Sequence, residues 1–162
     1  DLEKAGIEFS DSKEDLCCYG FDASKLESSP SIIVWPKSTA DVLTIVKLSY
    51  DKNIPIIPRG AGTSTTAAAV PKQGAIVISF ERMDRILEID TGNLTVIVEP
   101  GVINGILQKE LSLKGLFYPP DPASMNFCTI GGNVATNAGG PRTLKYGVTG
   151  NYVLELEAVT AD

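Results

Sequence analysis

Two glycine-rich stretches constrain this chain more than any other feature. They are Pro58-Arg59-Gly60-Ala61-Gly62-Thr63-Ser64-Thr65 and Thr129-Ile130-Gly131-Gly132-Asn133 through Asn137-Ala138-Gly139-Gly140. Neither has a nucleophile placed for covalent chemistry. Glycine lets the backbone approach a ligand closely and turn its N–H groups inward, and such a concave nest of donors binds an anion with few cationic side chains. Two such nests in 162 residues suggest a diphosphate. The dinucleotide fingerprint G-x-G-x-x-G runs from a strand straight into a helix. Here Gly60 and Gly62 fit, but the third position is Thr65, and Pro71 and Gly74 interrupt the chain before helical periodicity develops. That departure argues against a Rossmann domain.

Along the chain, residues 1–30 are polar and irregular, with one short helix. Ser28-Ser29-Pro30 then leads into a strand at Ile32–Trp35. Ser38 with Asp41 forms a capping box, and the helix it opens carries Val42, Ile45, Val46, Ser49 and Tyr50 on one face. Asn53 ends that helix before an apolar strand at Ile54–Ile57, which makes a β-α-β unit with parallel strands. Short strands follow at Ala75–Phe80, Ile86–Ile89 and Leu94–Glu99, expected to pair antiparallel. A second helix has Ile103, Ile106, Leu107 and Leu111 inward and Gly115 as its stop. A last alternating strand spans Val153–Thr160. The fold class is α+β, with a lobe at about residues 1–60 and a second at about 61–162.

The net charge of −6 and the lack of a Lys/Arg cluster argue against a nucleic-acid surface. No apolar run approaches the roughly 18 residues of a membrane span. Three cysteines match neither a disulfide framework nor a metal-ligand spacing, no histidine is present, and a reducing cytoplasm fits that usage. The start at Asp1-Leu2-Glu3-Lys4 has no signal-peptide character. Glu155 and Glu157 alternate with Leu154 and Leu156, which reads as a solvated strand face rather than an acid–base pair.

The segment from Ile54 onward resembles the flavin-binding domain of the vanillyl-alcohol-oxidase-type (PCMH-type) FAD family, in its glycolate oxidase and D-lactate dehydrogenase branch. The resemblance rests on motifs in order: Pro58–Thr63, Glu81–Asp90, Val98-Glu99-Pro100-Gly101-Val102, Tyr118-Pro119-Pro120-Asp121-Pro122, the second glycine stretch and Lys145-Tyr146-Gly147-Val148. Upstream, Tyr19, Asp22 and Trp35-Pro36-Lys37-Ser38-Thr39 resemble the family's opening segment. One departure is Ser64 and Ala67-Ala68, where the family has further glycines.

The resemblance implies a small β-α-β lobe and a second lobe of mainly antiparallel strands plus helix, together binding FAD. The cofactor-binding residues it implies are Pro58, Arg59, Gly60, Ala61, Gly62, Thr63, Ser64 and Thr65 in the first stretch. In the later motifs they are Asp121, Pro122, Ala123, Ser124, Cys128, Gly131, Gly132, Thr136, Asn137, Gly139, Gly140 and Tyr146. Each also has a plainer use: a glycine as a turn, Arg59 in a surface ion pair, Cys128 as a packing residue, Asn137 as a turn cap, Tyr146 as a core aromatic. Without histidine the flavin is held noncovalently. The resemblance puts substrate-binding groups, a catalytic base and any metal ligands in a C-terminal cap domain beyond residue 162, so no catalytic or metal-binding residue is assigned here. It implies a small 2-hydroxy acid as substrate, electron-transfer subunits as partners, and a cytoplasmic enzyme, free or peripheral at the inner face of the membrane. Two alternatives stay open: another enzyme on the same flavin fold, such as an alkyl-ether-lipid synthase, and a non-catalytic flavin-binding module.

Overall fold

A computed structural model describes residues 2–161 and divides them into two compact units. The first runs to Arg82 and takes in the segment from Glu157; the second is Met83–Leu156.

The first unit is a four-stranded sheet under one long helix. Its strands are β1 (Glu8–Ser10), β2 (Ile32–Trp35), β3 (Ile56–Arg59) and β4 (Ile76–Ser79), in the spatial order β1-β2-β4-β3. A short helix α1 (Lys13–Tyr19) follows β1, capped by the Ser12 side chain. Helix α2 (Thr39–Asp51) begins where the Ser38 hydroxyl accepts a hydrogen bond from the Asp41 amide at 3.2 Å. Asp41 in turn accepts from the Lys37 amide at 2.8 Å. The buried face of α2 is Val42, Ile45, Val46 and Ser49, whereas Tyr50, expected inward, is 64% exposed. It sits at the edge of the apolar stripe, where a long side chain is free to turn to water.

The sheet bears out the parallel strands of the β-α-β unit and corrects one expectation. β2 and β3 are parallel but not neighbours, because β4 lies between them and pairs parallel with both. β4 was expected to pair antiparallel. Its physical signature is continuous rather than alternating burial: all four residues are buried, as suits an interior strand of a parallel sheet covered on both faces. β3 is then an edge strand, a place where Pro58 costs no ladder hydrogen bond. The strand β1, which pairs antiparallel with β2, carries no periodic signal in its three residues.

The second unit is built on the antiparallel hairpin β5 (Ile86–Asp90) and β6 (Thr95–Val98). Asp90 shapes its tip by accepting from the amides of Gly92 and Asn93 at 2.8 and 3.0 Å. Helices α3 (Asn104–Ser112), α4 (Ile130–Thr136) and α5 (Thr143–Tyr146) follow. The core is Val102, Leu107, Leu111 and Ile130, with Ile89, Val96 and Tyr118 packed around it. Ile106, expected inward on α3, is 54% exposed, and the inward position at that end of the helix belongs to Asn104. Residues 153–161 form no strand; Leu154 is 82% exposed. Alternation specifies which face a strand would bury, but a strand also needs a ladder partner, and the described residues offer none there. Among the described residues no helix is long and apolar enough to cross a membrane.

Candidate functional site

The first glycine stretch leaves the sheet at the end of β3 as an irregular turn. Among the described residues, none of the backbone N–H groups of Ala61, Gly62, Thr63, Ser64 and Thr65 donates a hydrogen bond. Buried backbone donors are nearly always partnered, so five successive amides without a protein acceptor, at the surface of a tight turn, form an opening suited to an anion.

The turn is fixed from behind. Arg59 is 7% exposed, and its guanidinium donates to the Phe21 carbonyl at 2.7 Å and the Ala69 carbonyl at 3.5 Å, with Tyr19 offering its ring face at 5.4 Å. Burial lowers the Arg59 pKa from its ordinary value, opposed by Tyr19, Asp22 and Glu81. The buried Asp22 carboxylate accepts from the amides of Ser24 at 2.9 Å and Ala69 at 3.3 Å. Burial alone would raise its pKa; these hydrogen bonds and Arg59 hold it below the usual carboxylate range. Both backbone groups of Ala69 are thereby gripped, and Ala23 donates to the Gly62 carbonyl at 3.1 Å. Gly62 has φ +66°, and a Cβ there would stand 2.6 Å from Arg59 Cζ. Arg59 thus lies inside the turn as a strut rather than at its mouth. Behind it, Tyr19 donates to Glu81 and accepts from Trp35 Nε1 at 3.1 Å.

Of the three positions where glycines were expected, only Ala67 has a positive φ, +59°. An alanine in the left-handed region costs about 1–2 kcal/mol relative to glycine, partly offset because glycine gains more entropy on unfolding. Ala67→Gly is therefore expected to stabilise the first unit by about 0.5–1 kcal/mol. Urea unfolding checks this, and an unchanged or lower midpoint counts against the strain.

The second stretch differs from expectation: it is not an open nest. Residues 130–136 are helix α4, and its first amides are all spent inside the protein. Ile130 donates to the Val102 carbonyl and Gly131 to the Pro100 carbonyl, both at 2.8 Å. Gly132 donates to the Thr129 hydroxyl at 3.2 Å, and Asn133 to the Thr129 carbonyl at 2.9 Å. Thr129 is an N-cap, and an N-cap consumes the donors that a phosphate would use. Gly131 is small because its Cβ would press on Pro100 Cβ at 2.7 Å. Thr136 closes α4 by bonding the Gly132 carbonyl at 2.9 Å.

The open donors of this unit lie further on. Asn137 ends α4 in the left-handed conformation, its side-chain oxygen accepting from the Gly150 amide at 2.9 Å. Among the described residues the amides of Gly139 and Gly140 donate to nothing, and the buried atoms Asn133 Nδ2 and Thr143 Oγ1 have no partner. Orphaned buried polar atoms are rare, and together with two free amides they fit a polar group of a ligand. The Ser124 hydroxyl is likewise without a partner among the described residues. Asp121, Pro122 and Ala123 lead into its turn, in which Phe127 and Cys128 donate to the Ser124 carbonyl at 2.8 Å. Cys128 is 4% exposed, as a packing residue would be. Tyr146 is partly exposed, edge-on to Phe117 at 5.6 Å, and its carbonyl accepts from the Tyr152 hydroxyl at 2.6 Å. The candidate residues therefore fall into two groups, Pro58–Thr65 in the first unit and Asp121–Tyr146 in the second.

Sequence reasoning missed the residues that hold these turns in place. Arg85 grips Glu99 through its amide at 2.8 Å and its guanidinium at 2.6 Å, fixing the turn whose carbonyls cap α4. Hydrogen bonds from Arg85 hold the Glu99 carboxyl below the usual carboxylate range, although burial works against them. A carboxyl whose folded pKa is depressed contributes stability above its unfolded pKa, about 4.3, and loses it as the pH falls through the folded value. The thermal midpoint is expected to drop on acidification through that window. Glu99→Gln should start lower at neutral pH and show a flatter acid limb, and equal slopes in both proteins would exclude the pair as a source of acid sensitivity.

Residues 30–162 match the FAD binding domain family. The chain is 44% identical over 155 residues to the glycolate oxidase subunit GlcD of Bacillus subtilis, covering 95% of this chain and 33% of that protein. It is 39% identical over 146 residues to the D-lactate dehydrogenase of Anaerostipes hadrus, covering 90% and 29%. Among solved structures it superposes on an alkyldihydroxyacetonephosphate synthase with a TM-score of 0.81 at 28% identity, covering 90% of this chain and 29% of that one. It shares the fold of p-cresol methylhydroxylase, TM-score 0.70 at 22% identity, over 80% of this chain and 26% of that one. The chain spans about a third of the length of the curated relatives it matches.

Proposed function

Because this chain belongs to the FAD binding domain family, we propose that it is the FAD-binding portion of a flavin-dependent 2-hydroxy-acid dehydrogenase or oxidase of the glycolate or D-lactate type. The observation that carries this reading is the turn after β3, with five successive free amides braced by the buried Arg59. Those amides hold one phosphate group of the cofactor. Gly139 and Gly140, with Asn133 Nδ2 and Thr143 Oγ1, supply donors for further polar groups, and the Asp121–Ser124 turn and Tyr146 border the ring. Gly131 and Gly132 serve through close packing rather than through open amides. Binding is noncovalent in this reading, and this segment holds no histidine for a histidyl–flavin link. When bound, the flavin supplies the two-electron acceptor for oxidation of the substrate's hydroxyl-bearing carbon. Substrate contacts and the base lie in parts of the enzyme outside this chain, as do contacts to electron-transfer subunits. The two-lobe organisation belongs to this reading, as does a cytoplasmic location, free or peripheral at the inner membrane face; the three free thiols support it.

The test uses the complete gene product. Acid-released cofactor is identified by mass, and dye-coupled oxidation is measured with glycolate, D-lactate and D-2-hydroxyglutarate. FAD with turnover of at least one hydroxy acid is expected; FMN or no flavin refutes the reading. FAD without hydroxy-acid turnover would favour another enzyme of the same fold, for which the 28% identical synthase structure is the supporting observation.

A further inference from the structure

Helix α3 has an unusual start. Its N-cap is Ile103, which has no side chain able to accept a hydrogen bond, so the first amides of the helix need another acceptor. They find it in the Ser124–Cys128 turn: Asn104 N donates to the Cys128 carbonyl and Gly105 N to the Met125 carbonyl, both at 2.9 Å. One turn on, the side chains of Asn104 and Gln108 face the same way, four residues apart. Gln108 Nε2 donates to the Pro120 carbonyl at 2.8 Å and to Asn104 Oδ1 at 2.7 Å, and Asn104 Nδ2 donates to the same Pro120 carbonyl at 3.3 Å. Asn104 is fully buried. Pro119 and Pro120 have no N–H of their own, so carbonyls are the only backbone handles of that segment, and the Pro120 carbonyl takes two donors. Beyond it, Gln108 Oε1 accepts from Arg142 Nη1 at 3.5 Å. The amide and Nε of Arg142 hold the two oxygens of Asp121 at 3.1 and 3.2 Å.

We propose that Asn104 and Gln108 are positioning residues of the cofactor site, fixing the Pro120–Asp121 segment, the Ser124–Cys128 turn and the Gly140–Arg142 segment against one another through α3. The proposal rests on the flavin reading above. It distinguishes two uses of one buried helix face. Leu107 and Leu111 bury apolar area in the core, whereas Asn104 and Gln108 spend their polar groups on backbone that carries the candidate flavin contacts. Loss of the Gln108 donor leaves a buried carbonyl short of a partner without opening a cavity, so its effect falls on the loop geometry.

The experiment measures FAD affinity and the circular-dichroism bands of bound flavin in the complete gene product. The variants are Gln108→Met, which keeps length and removes both polar ends, Asn104→Ala, and Leu111→Ala as a core control. Gln108→Met is expected to weaken FAD binding about tenfold and to alter the flavin bands, while the lost donors to the Pro120 carbonyl and Asn104 Oδ1 lower the thermal midpoint of the flavin-free protein by less than a core truncation does. Leu111→Ala is expected to lower that midpoint more than Gln108→Met and to leave FAD affinity in the folded fraction within about twofold. Asn104→Ala should follow Gln108→Met, with a larger loss of stability. Wild-type affinity and bands in Gln108→Met overturn the proposal, as does an equal loss of affinity in Leu111→Ala. A wild-type protein that binds no FAD fails the flavin reading itself and takes this proposal with it.

Discussion

Gly140→Ala is expected to unfold or severely loosen the second unit. Gly140 has φ +135°, a region outside the small left-handed basin that other residues visit, and a Cβ there would stand 2.6 Å from Asp121 Oδ1 and closer still to the Asp121 carbonyl. Neither obstacle can yield cheaply: the carbonyl is backbone next to the buried Pro120, and the carboxylate is committed to Arg142. Backbone strain and overpacking together amount to about 3 kcal/mol or more, a large part of the stability of an ordinary domain. Urea unfolding followed by tyrosine fluorescence reads the loss directly. A variant within about 1 kcal/mol of wild type would mean that the Gly140 segment moves aside freely, and that the Asp121–Arg142 contact does not hold it.

The second large effect is expected at Gly62. Gly62→Val meets two penalties, a β-branched residue at φ +66° and a Cβ pressed onto the Arg59 guanidinium, with Nη1 at 2.9 Å. Arg59 has no room to retreat, because it is held by the Phe21 and Ala69 carbonyls and buried against Tyr19. The turn must therefore change shape, and the five amides lose their common direction. Retained FAD in the complete gene product is expected to fall by two orders of magnitude or more, about 3 kcal/mol. The sheet should survive, since no strand residue is altered. Far-ultraviolet circular dichroism with flavin content per folded protein separates these, and normal flavin content in a folded Gly62→Val protein would remove the turn from the cofactor site.

Much of this was legible in the sequence because it depends on local chemistry. Ser38 and Asp41 start α2, Asn53 ends it at φ +52°, and Asp90 shapes the hairpin tip, each through a side chain acting within a few residues. The first glycine turn was legible for the same reason: its open amides follow from residues that tolerate such a backbone. The second stretch was not. The same glycines serve a nest or a helix start, and the choice between them is made by Thr129 and by the carbonyls of Pro100 and Val102, some thirty residues earlier in the chain. Pairing was hidden in the same way. The run Ala75–Phe80 marked a strand, but it was read as pairing antiparallel, and the identity of its neighbours is a matter of topology. Asn104 and Gln108 read as ordinary polar positions of an amphipathic helix until the Pro120 carbonyl is seen opposite them.

The place of β4 has a consequence for how the protein is made. It is last of the four strands in the chain yet lies between β2 and β3. While a ribosome is still adding residues 60–75, β3 has no strand to pair with and β2 has only β1. Long-range parallel pairing is slow because chain entropy is spent before contacts repay it, so the nascent chain at this stage is a helix and two unsupported edges. When residues 76–79 emerge, one strand completes both ladders at once and draws the far end of the glycine turn to within reach of Asp22 and Arg59. The turn proposed to hold the cofactor phosphate thus takes shape only once β4 has been made, and a chaperone or protease meeting the chain before Ser79 finds that turn unformed.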